Sequence, residues 1–258
     1  MPAPARDADP VRRLAEAVAA MDLVDLTHPL AAGMPVWPGH PHFCQTVVAS
    51  LARGDASGFH ALALGEHTGT HFDAPAHFIP AGRPIDEVPV AHFLGRMVTL
   101  PARDLAPDSV VEPATLHAWE VAHGPIAAGD AVFFHFGWDR FWDADPAAFL
   151  AGWPGLSRAA SEFLVARGVR IVGSDCLSID RFGSTDYAAH RTLLGAGVLI
   201  GENFARLGAL PPVCYLAALP LPIAGGSGAP LRALALVARV GAGTAGAGTR
   251  VRQSRAGP

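Results

Sequence analysis

The sequence contains no lysine, since all 19 basic residues among its 258 are arginines. This absence excludes Schiff-base chemistry, lysine general bases and the phosphate-binding P-loop, which all need a lysine amine. The arginines are offset by 23 acidic residues and form no basic block, so the charge pattern predicts no nucleic-acid partner. A GxSxG motif is also absent, which leaves a serine nucleophile unsupported.

Cysteine is scarce as well. Cys44, Cys176 and Cys214 are far apart and include no CxxC pair, which argues against a disulfide framework and against a thiolate zinc site. A reducing cytoplasm is therefore the expected location, and the N-terminal residues lack the apolar core of a secretion signal. The longest uncharged stretch, Leu207 to Leu231, is interrupted by proline and glycine, so no membrane partner is expected.

Short apolar segments dominate the chain and predict many strands with few helices. Alternating or β-branched residues indicate strands at 45–52, 59–65, 96–100, 131–136, 169–173, 198–200, 213–219 and 231–240. Helical spacing and capping residues indicate helices at 9–21, 113–122, 157–167 and 187–194. We therefore predict an α/β fold, a single strand-rich domain with a mixed sheet and outer helices.

No repeat or flexible linker divides the chain. Residues 1–21 are expected to form an N-terminal helical arm, residues 22–240 the main domain and the glycine-rich residues 241–258 a disordered tail. The tail contains GAGTAG, which matches the dinucleotide motif GxGxxG. No helix pattern follows it, so a dinucleotide site is rejected. Residues 22–41 are turn-rich and are predicted to form a long loop around Trp37.

Histidine is plentiful, with 12 residues, and three of them lie in the segment EHTGTHFDAPAHF at Glu66 to Phe78. A helix is the wrong backbone for this segment, because Gly69 and Pro75 weaken it and Asp73 falls on a different face from His67. In an extended chain, His67, His71, Asp73 and His77 share one face. On the same face, Gly69 would leave room for an ion or a substrate.

This set of side chains predicts a metal site. Two imidazoles and a carboxylate, from His67, His71 and Asp73, suit a borderline divalent cation such as zinc or manganese and leave positions open for water and substrate. His77 is then the candidate for moving protons.

Three residues after a predicted strand are interpreted as structural. Cys176 has no local reason for an acidic thiol. Asp175 and Asp180 could lie near the cavity, but capping, solvation or a hydrogen bond that supports another site residue is the expected role of each.

The string HTGTHFDAPAH, with DLTHPL and MPVWPG upstream and AHRTLLGAGVLIGEN and GGSGAP downstream, resembles the metal-dependent cyclase family. That family includes bacterial kynurenine formamidases and isatin hydrolases. The resemblance extends from about Asp22 to Val240. It implies a swivelling β/β/α fold and a homodimer or a higher homo-oligomer.

The resemblance also implies which residues act. It places one metal on His67, His71 and Asp73, with Asp73 bridging to a second metal held by His190 and Glu202, so that two divalent ions bind per subunit. It assigns proton transfer to His77. The spacing of His190 and Glu202 alone would not have selected them, because a lone histidine in a helix or a glutamate after a strand is usually structural.

Three functions stay open. The first is a metal-dependent amide hydrolase that cleaves an aryl formamide such as N-formylkynurenine, or a cyclic amide such as isatin, with a metal-activated water. The second is a metal-dependent cyclase or dehydratase in a biosynthetic pathway, and the third is a non-catalytic ligand-binding module. The small-molecule substrate is expected to be selected by a pocket around Trp37, Phe43, Phe136 and Trp138.

Overall fold

The protein is described by a computed structural model for residues 9–239. Within that range no helix has the length and apolar character needed to cross a membrane. The α-helices are α1 Pro10–Ala19, α2 Pro113–His123, α3 Pro146–Phe149, α4 Arg158–Ala166 and α5 Ala188–Gly195. The strands are β1 Met21–Asp25, β2 Cys44–Ala49, β3 Phe59–Ala63, β4 His71–Asp73, β5 Leu94–Pro101, β6 Val110–Val111, β7 Ala131–His135, β8 Gly155–Leu156, β9 Ile171–Ser174, β10 Leu199–Glu202, β11 Val213–Pro220 and β12 Gly228–Ala238.

The main sheet of the described residues closes on itself. Its order is β1-β12-β11-β5-β7-β9-β10-β4, and β4 pairs with β12 as well as with β10. Seven strands therefore form a closed mixed ring, and β1 extends β12 outside it. Strands β5, β7, β9 and β10 are parallel, whereas β4, β11 and β12 pair in the antiparallel sense. The predicted single α/β domain with a mixed sheet is confirmed.

Side-chain alternation along the parallel strands builds two cores. Met97, Phe133 and Ile171 face the inside of the ring together with Phe72 of β4. The residues next to them in sequence, among them Val98 and Phe134, face outward and pack under the helices. Because Phe72 points inward, its neighbours on β4, His71 and Asp73, must point to the helix side of the sheet.

The sequence located most of the helices and strands. Helix α4 starts after Ser157, whose hydroxyl accepts the N–H of Ala160, and it ends before Gly168, which adopts φ +70°. Asp9 caps α1 through a hydrogen bond from Val11 N–H. The turn-rich prediction for residues 22–41 was wrong at its start, because β1 occupies Met21–Asp25 and pairs with β12. The predicted tail at 241–258, including its GAGTAG motif, lies outside the described residues.

The ring brings the predicted site residues together by strand register. Glu202 at the end of β10 lies opposite His71 of β4 in the antiparallel pairing. Helix α5, which carries His190, packs beside β10. The helix-side face of β4 therefore meets the end of β10 and one face of α5, and a pocket opens there.

Candidate metal centre

The backbone of residues 66–78 is extended only over β4. A turn at Glu66 and His67 precedes the strand, and a 3-10 turn at Pro75–His77 follows it. The prediction of one extended segment with a shared face was therefore wrong outside residues 71–73. The four predicted side chains converge nonetheless, because the turn before β4 and the curl at Pro75 bend the chain back on both sides of Asp73.

Gly69 has a different role from the predicted one. Its φ of +65° is unfavourable for any residue with a side chain. A Cβ at this position would lie 2.7 Å from Leu30 Cδ2, so the space beside Gly69 is already filled by the protein and is not open to an ion. What the site uses is the Gly69 carbonyl, which accepts a hydrogen bond from His71 Nδ1 at 2.8 Å and another from the Asn203 amide at 2.9 Å.

That carbonyl fixes the orientation of His71. With Nδ1 committed as a donor, Nε2 of the neutral ring carries the lone pair. This nitrogen is buried without a hydrogen-bond partner among the described residues, and it lies 3.2 Å from Asp73 Oδ1 and 3.6 Å from Glu202 Oε2. A lone pair facing two carboxylate oxygens needs a proton or a cation between them.

His67 is oriented by two residues that sequence analysis did not select. Ser227 donates its hydroxyl proton to Glu66 Oε2 at 2.6 Å, so its oxygen accepts from His67 Nε2 at 2.9 Å. In the neutral ring, Nδ1 then carries the lone pair and lies 2.6 Å from Asp73 Oδ1. Glu66 adjoins the predicted motif and Ser227 belongs to the downstream GGSGAP string, which are the signals that could have indicated them.

His190 is held in the same way by Asp180. Its Nδ1 donates to Asp180 Oδ2 at 2.6 Å, while Asp180 Oδ1 accepts the N–H of Ala189 in the first turn of α5. These contacts agree with the supporting role predicted for Asp180. Nε2 of His190 lies 3.3 Å from Asp73 Oδ2 and 3.3 Å from Glu202 Oε1. His190 therefore faces the same two carboxylates as His71.

The two carboxylates are deeply buried, with Asp73 0% and Glu202 6% exposed. Glu202 Oε1 accepts the N–H of Ile179 at 3.0 Å, whereas Asp73 Oδ2 has no hydrogen-bond partner within residues 9–239. Ionised carboxylates in such a place need compensating positive charge. The donor set of imidazole nitrogens and carboxylate oxygens is the one that zinc and manganese accept.

The side chains form two groups that share Asp73. Within the described residues, ligand atoms of His71, Asp73 and Glu202 lie within 4.8 Å of one another, and so do those of His67, Asp73 and His77. His190 contacts both carboxylates. The structure thus brings together all six predicted residues, with His71 beside Glu202 and His67 beside His77.

The pKa values reflect this crowding of carboxylates and imidazoles. Burial favours a higher pKa for Asp73, but His67, His190 and His71 outweigh it and hold the pKa well below its usual range. Burial, followed by repulsion from Asp73, raises the pKa of Glu202. Burial alone would lower the pKa of His190, yet its contacts with Asp180, Asp73 and Glu202 raise it well above its usual value. Protons on these side chains thus compensate the buried negative charge, and a bound cation would displace those protons.

His77 lies closer to the carboxylates than an extended chain would allow. Its ring stacks on His67 with a centroid separation of 4.0 Å and contacts Phe78 edge-to-face at 4.7 Å. Burial is the main cause that lowers the pKa of His77 to about 4, so its ring is neutral near pH 7. A neutral imidazole at the pocket wall can accept a proton and afterwards return it.

A small cavity of about 150 Å³ opens above these residues. Besides five of the predicted site residues, it is lined by Trp37, His40, Phe78, Leu177, Ser178 and Tyr187. Trp37 is therefore a wall of the cavity. The expectation that Phe43, Phe136 and Trp138 also surround it was wrong, because Phe43 and Phe136 are buried in the outer core and Trp138 packs beside that core.

Asp175 and Cys176 lie outside this cavity. Both carboxylate oxygens of Asp175 accept backbone N–H groups, from Phe136 at 2.9 Å and from Trp138 at 2.8 Å. Cys176 is fully buried, and burial raises the pKa of its thiol well above the usual value. The structural roles predicted for Asp175 and Cys176 agree with these contacts.

Family membership follows from comparison with known proteins. The Cyclase family model, described as a putative cyclase, matches residues 24–181, which are more than half of the chain. The match includes His67, His71, Asp73 and His77, together with the supporting Asp180. The chain belongs to the cyclase family.

Relatives of known activity cover most of the chain. A kynurenine formamidase of Salinibacter ruber is 32% identical over 216 residues, which are 83% of this chain and 97% of that protein. An isatin hydrolase of Roseibium aggregatum is 31% identical over 243 residues, which are 84% of this chain and 92% of that protein.

Solved structures show the same fold. Isatin hydrolase A from Labrenzia aggregata, bound to benzyl benzoate, superposes with a TM-score of 0.83 at 31% identity and covers 90% of this chain and 100% of its own. An isatin hydrolase bound to the product analogue thioisatinate gives a TM-score of 0.84 at 28% identity, covering 92% of this chain and 100% of its own. Together with the site, these similarities make the protein a metal-dependent amide hydrolase. Of the three functions that the sequence left open, the first is the one supported.

Proposed function

We propose that this enzyme hydrolyses a small aromatic amide, either an aryl formamide such as N-formylkynurenine or a cyclic amide such as isatin. The observation that carries the proposal is the pair of lone-pair nitrogens, His71 Nε2 and His190 Nε2, that face the buried Asp73 and Glu202 at 3.2–3.6 Å. An arrangement of this kind is stabilised by a divalent cation.

The ligands in this proposal are His67, His71, Asp73, His190 and Glu202. Zinc or manganese, two ions per subunit, is the cofactor that fits their nitrogen and oxygen atoms. Bound there, the metal supplies a Lewis acid for the amide carbonyl and an acidified water for the attack. The supporting hydrogen bonds from Gly69, Asp180 and the Ser227–Glu66 pair keep the ligand atoms aimed at the cavity.

His77 is the proposed proton carrier. Its ring lies against His67 and against Phe78, and it lines the cavity in which a bound amide would lie. There it can take a proton from the attacking water and pass it to the amide nitrogen as the C–N bond breaks, so that an aryl formamide gives formate and a free amine and a cyclic amide opens to an amino acid. No covalent enzyme intermediate is needed.

The cavity walls favour a flat, apolar substrate. Trp37, Phe78 and Tyr187 supply aromatic faces, and no arginine of the described residues lines the cavity. A planar aryl amide can stack on these rings while its carbonyl points to the carboxylates and imidazoles below.

The decisive experiment is elemental analysis of the purified protein combined with a hydrolysis screen. Formate release from N-formylkynurenine and formanilide, and ring opening of isatin, should be measured with and without added zinc or manganese. Metal-dependent turnover of at least one of these amides is the expected outcome. Protein that is fully loaded with metal and inert toward all of them would overturn the proposal.

Three further features belong to the same proposal. We propose that residues 22–240 form the catalytic domain after an N-terminal arm at 1–21 that contains helix α1, Pro10–Ala19; the prediction for residues 241–258 lies outside the described residues. Several apolar side chains of α1 and of the β2–β3 hairpin, including Leu14, Leu51 and Phe59, are exposed, which supports a homodimer. The free state of Cys44, Cys176 and Cys214 supports a cytoplasmic location.

A further inference from the structure

A second cavity adjoins the metal-site cavity and shares lining residues with it. We call them the outer and the inner cavity. The outer cavity has a volume of about 240 Å³, and it shares Trp37, Ser178 and Tyr187 with the inner cavity, which measures about 150 Å³. These three residues form the boundary between them. A ligand anchored in the inner cavity can therefore extend past Trp37 and Tyr187 into the outer one.

The outer cavity has aromatic walls. Trp153 contacts Trp37 edge-to-face at a centroid distance of 6.0 Å and Phe182 at 4.9 Å. Trp37, Trp153 and Phe182 thus form a continuous row of rings that leads from the inner cavity outward. Such a row suits the hydrocarbon part of an aryl substrate.

The outer cavity also carries a free positive charge. Arg181 lines it, and within residues 9–239 its guanidinium makes one hydrogen bond, to the carbonyl of Phe182 at 3.2 Å, and no salt bridge. The acidic residue of this cavity, Asp180, is buried. Its carboxylate oxygens accept hydrogen bonds from the His190 ring and from the N–H groups at the start of α5. The accessible charge is therefore positive, in contrast to the inner cavity, whose lining among residues 9–239 includes the carboxylate of Glu202 and no arginine.

We propose that the outer cavity is a substrate subsite, in which Arg181 pairs with a carboxylate carried by the aromatic amide on the side away from its scissile bond. This inference rests on the proposed amide hydrolysis and names the substrate class. A planar guanidinium matches a carboxylate through two parallel hydrogen bonds. Arg181 is a specificity residue here, and it does not take part in bond cleavage.

A matched pair of substrates tests the subsite in the metal-loaded enzyme. The first is formanilide with a propanoate chain in the para position, and the second is its uncharged primary amide. We expect the Arg181→Gln variant to raise KM for the propanoate about tenfold, the worth of a charge-assisted hydrogen bond at a partly exposed position, with kcat nearly unchanged. KM for the uncharged amide should stay the same. Arg158→Gln, which removes an exposed arginine of α4 outside both cavities, is the matched control.

Equal effects of Arg181→Gln on both substrates, or no effect on either, would overturn the subsite. A binding measurement separates this outcome from failure of the proposed hydrolysis. The amine 3-(4-aminophenyl)propanoate cannot be hydrolysed, so its affinity can be measured by calorimetry whether or not the formamides are cleaved. Weaker binding to Arg181→Gln than to Arg158→Gln supports the subsite, and equal binding refutes it.

Discussion

Asp180 Oδ2 lies 2.6 Å from Nδ1 of His190 and also accepts the backbone N–H of His190 at 3.1 Å. One carboxylate oxygen thereby fixes both the start of α5 and the tautomer of the ring. The other ring nitrogen, Nε2, is left to face Asp73 and Glu202.

The Asp180→Asn substitution tests this relationship. Asparagine cannot accept at both positions: with its oxygen on His190 its nitrogen opposes the N–H of Ala189, and with its oxygen on Ala189 its nitrogen opposes Nδ1 of His190. In either orientation the His190 ring is held less firmly. We expect metal affinity to fall about 10–100-fold, the usual cost of removing a hydrogen bond that orients a metal ligand. Metal titration of the apoprotein measures it. The Asp186→Asn variant, at an exposed position before the same helix, should bind metal normally; equal weakening in both variants would contradict the role of Asp180.

The His71→Ala substitution should remove metal and activity together. Among residues 9–239, His71 Nε2 is buried without a hydrogen-bond partner and lies close to both carboxylates, so alanine removes a nitrogen that is free to bind an ion. Because loss of a residue that only orients a ligand costs about 10–100-fold in affinity, loss of the ligand itself should cost more. Bound metal and turnover should be determined on one preparation. Normal values for both would remove His71 from the site.

Glu202→Gln should weaken one ion more than the other. Glu202 approaches His71 with one carboxylate oxygen and His190 with the other. The neighbouring group of possible ligands, His67, Asp73 and His77, does not include Glu202. The amide oxygen of the variant side chain would still accept the N–H of Ile179, so the fold should persist. Metal analysis after dialysis should show that one of the two proposed ions is lost. Equal loss of both ions would mean that the two positions are not independent.

His77→Asn separates proton transfer from metal binding. We expect near-normal metal content and a kcat about 10²–10⁴-fold lower, the range for removal of a general acid or base. The same measurement tests the alternative that His77 is a metal ligand, because ligand atoms of His77, His67 and Asp73 lie within 4.8 Å of one another. Loss of metal in the variant would make His77 a ligand, and unchanged turnover would exclude it from the chemistry.

The buried carboxyl group of Asp175 should make the stability of the folded protein depend on pH. Burial, followed by repulsion from Asp139, raises the pKa of Asp175 to about 7 in the folded protein. The folded state then holds a proton that the unfolded state releases at lower pH, so this residue costs stability as pH rises from about 4 to 7. Asp139→Asn removes the repulsion. The difference in melting temperature between the Asp139→Asn variant and the wild type should therefore increase in favour of the variant from pH 5 to pH 8. A difference that stays constant with pH would contradict the raised pKa of Asp175.

The sequence predicted the local part of the site and not its long-range part. His67, His71, Asp73 and His77 lie within eleven residues, so any compact path of that segment brings them close. Glu202 meets His71 only through the register of β10 against β4, which no local pattern encodes. His190 and Glu202 could be predicted by resemblance alone. Ser227, 160 residues from the His67 ring that it orients, was missed for the same reason.

Strands were also predicted well from local sequence and poorly where they depend on distant partners. Buried parallel strands such as β7 and β9 have continuous apolar runs and were located closely. Strand β1 has aspartates at both Asp22 and Asp25, and it is stabilised by pairing with β12 and by contacts of Asp25 with Arg232. Those partners lie about two hundred residues away in sequence, so its own composition resembled a loop.

The strand that completes the ring, β4, is also its shortest, with only three residues between β10 and β12. Two of those three residues, His71 and Asp73, face the ion site, and Glu202 on β10 faces it too. An ion held by both strands would act as a cross-link where the shortest strand of the ring pairs with β10. Release of the ion and separation of β4 from β10 would then be reciprocally coupled. Any change that destabilises the pairing of β4, even a distant substitution, would also lower metal affinity.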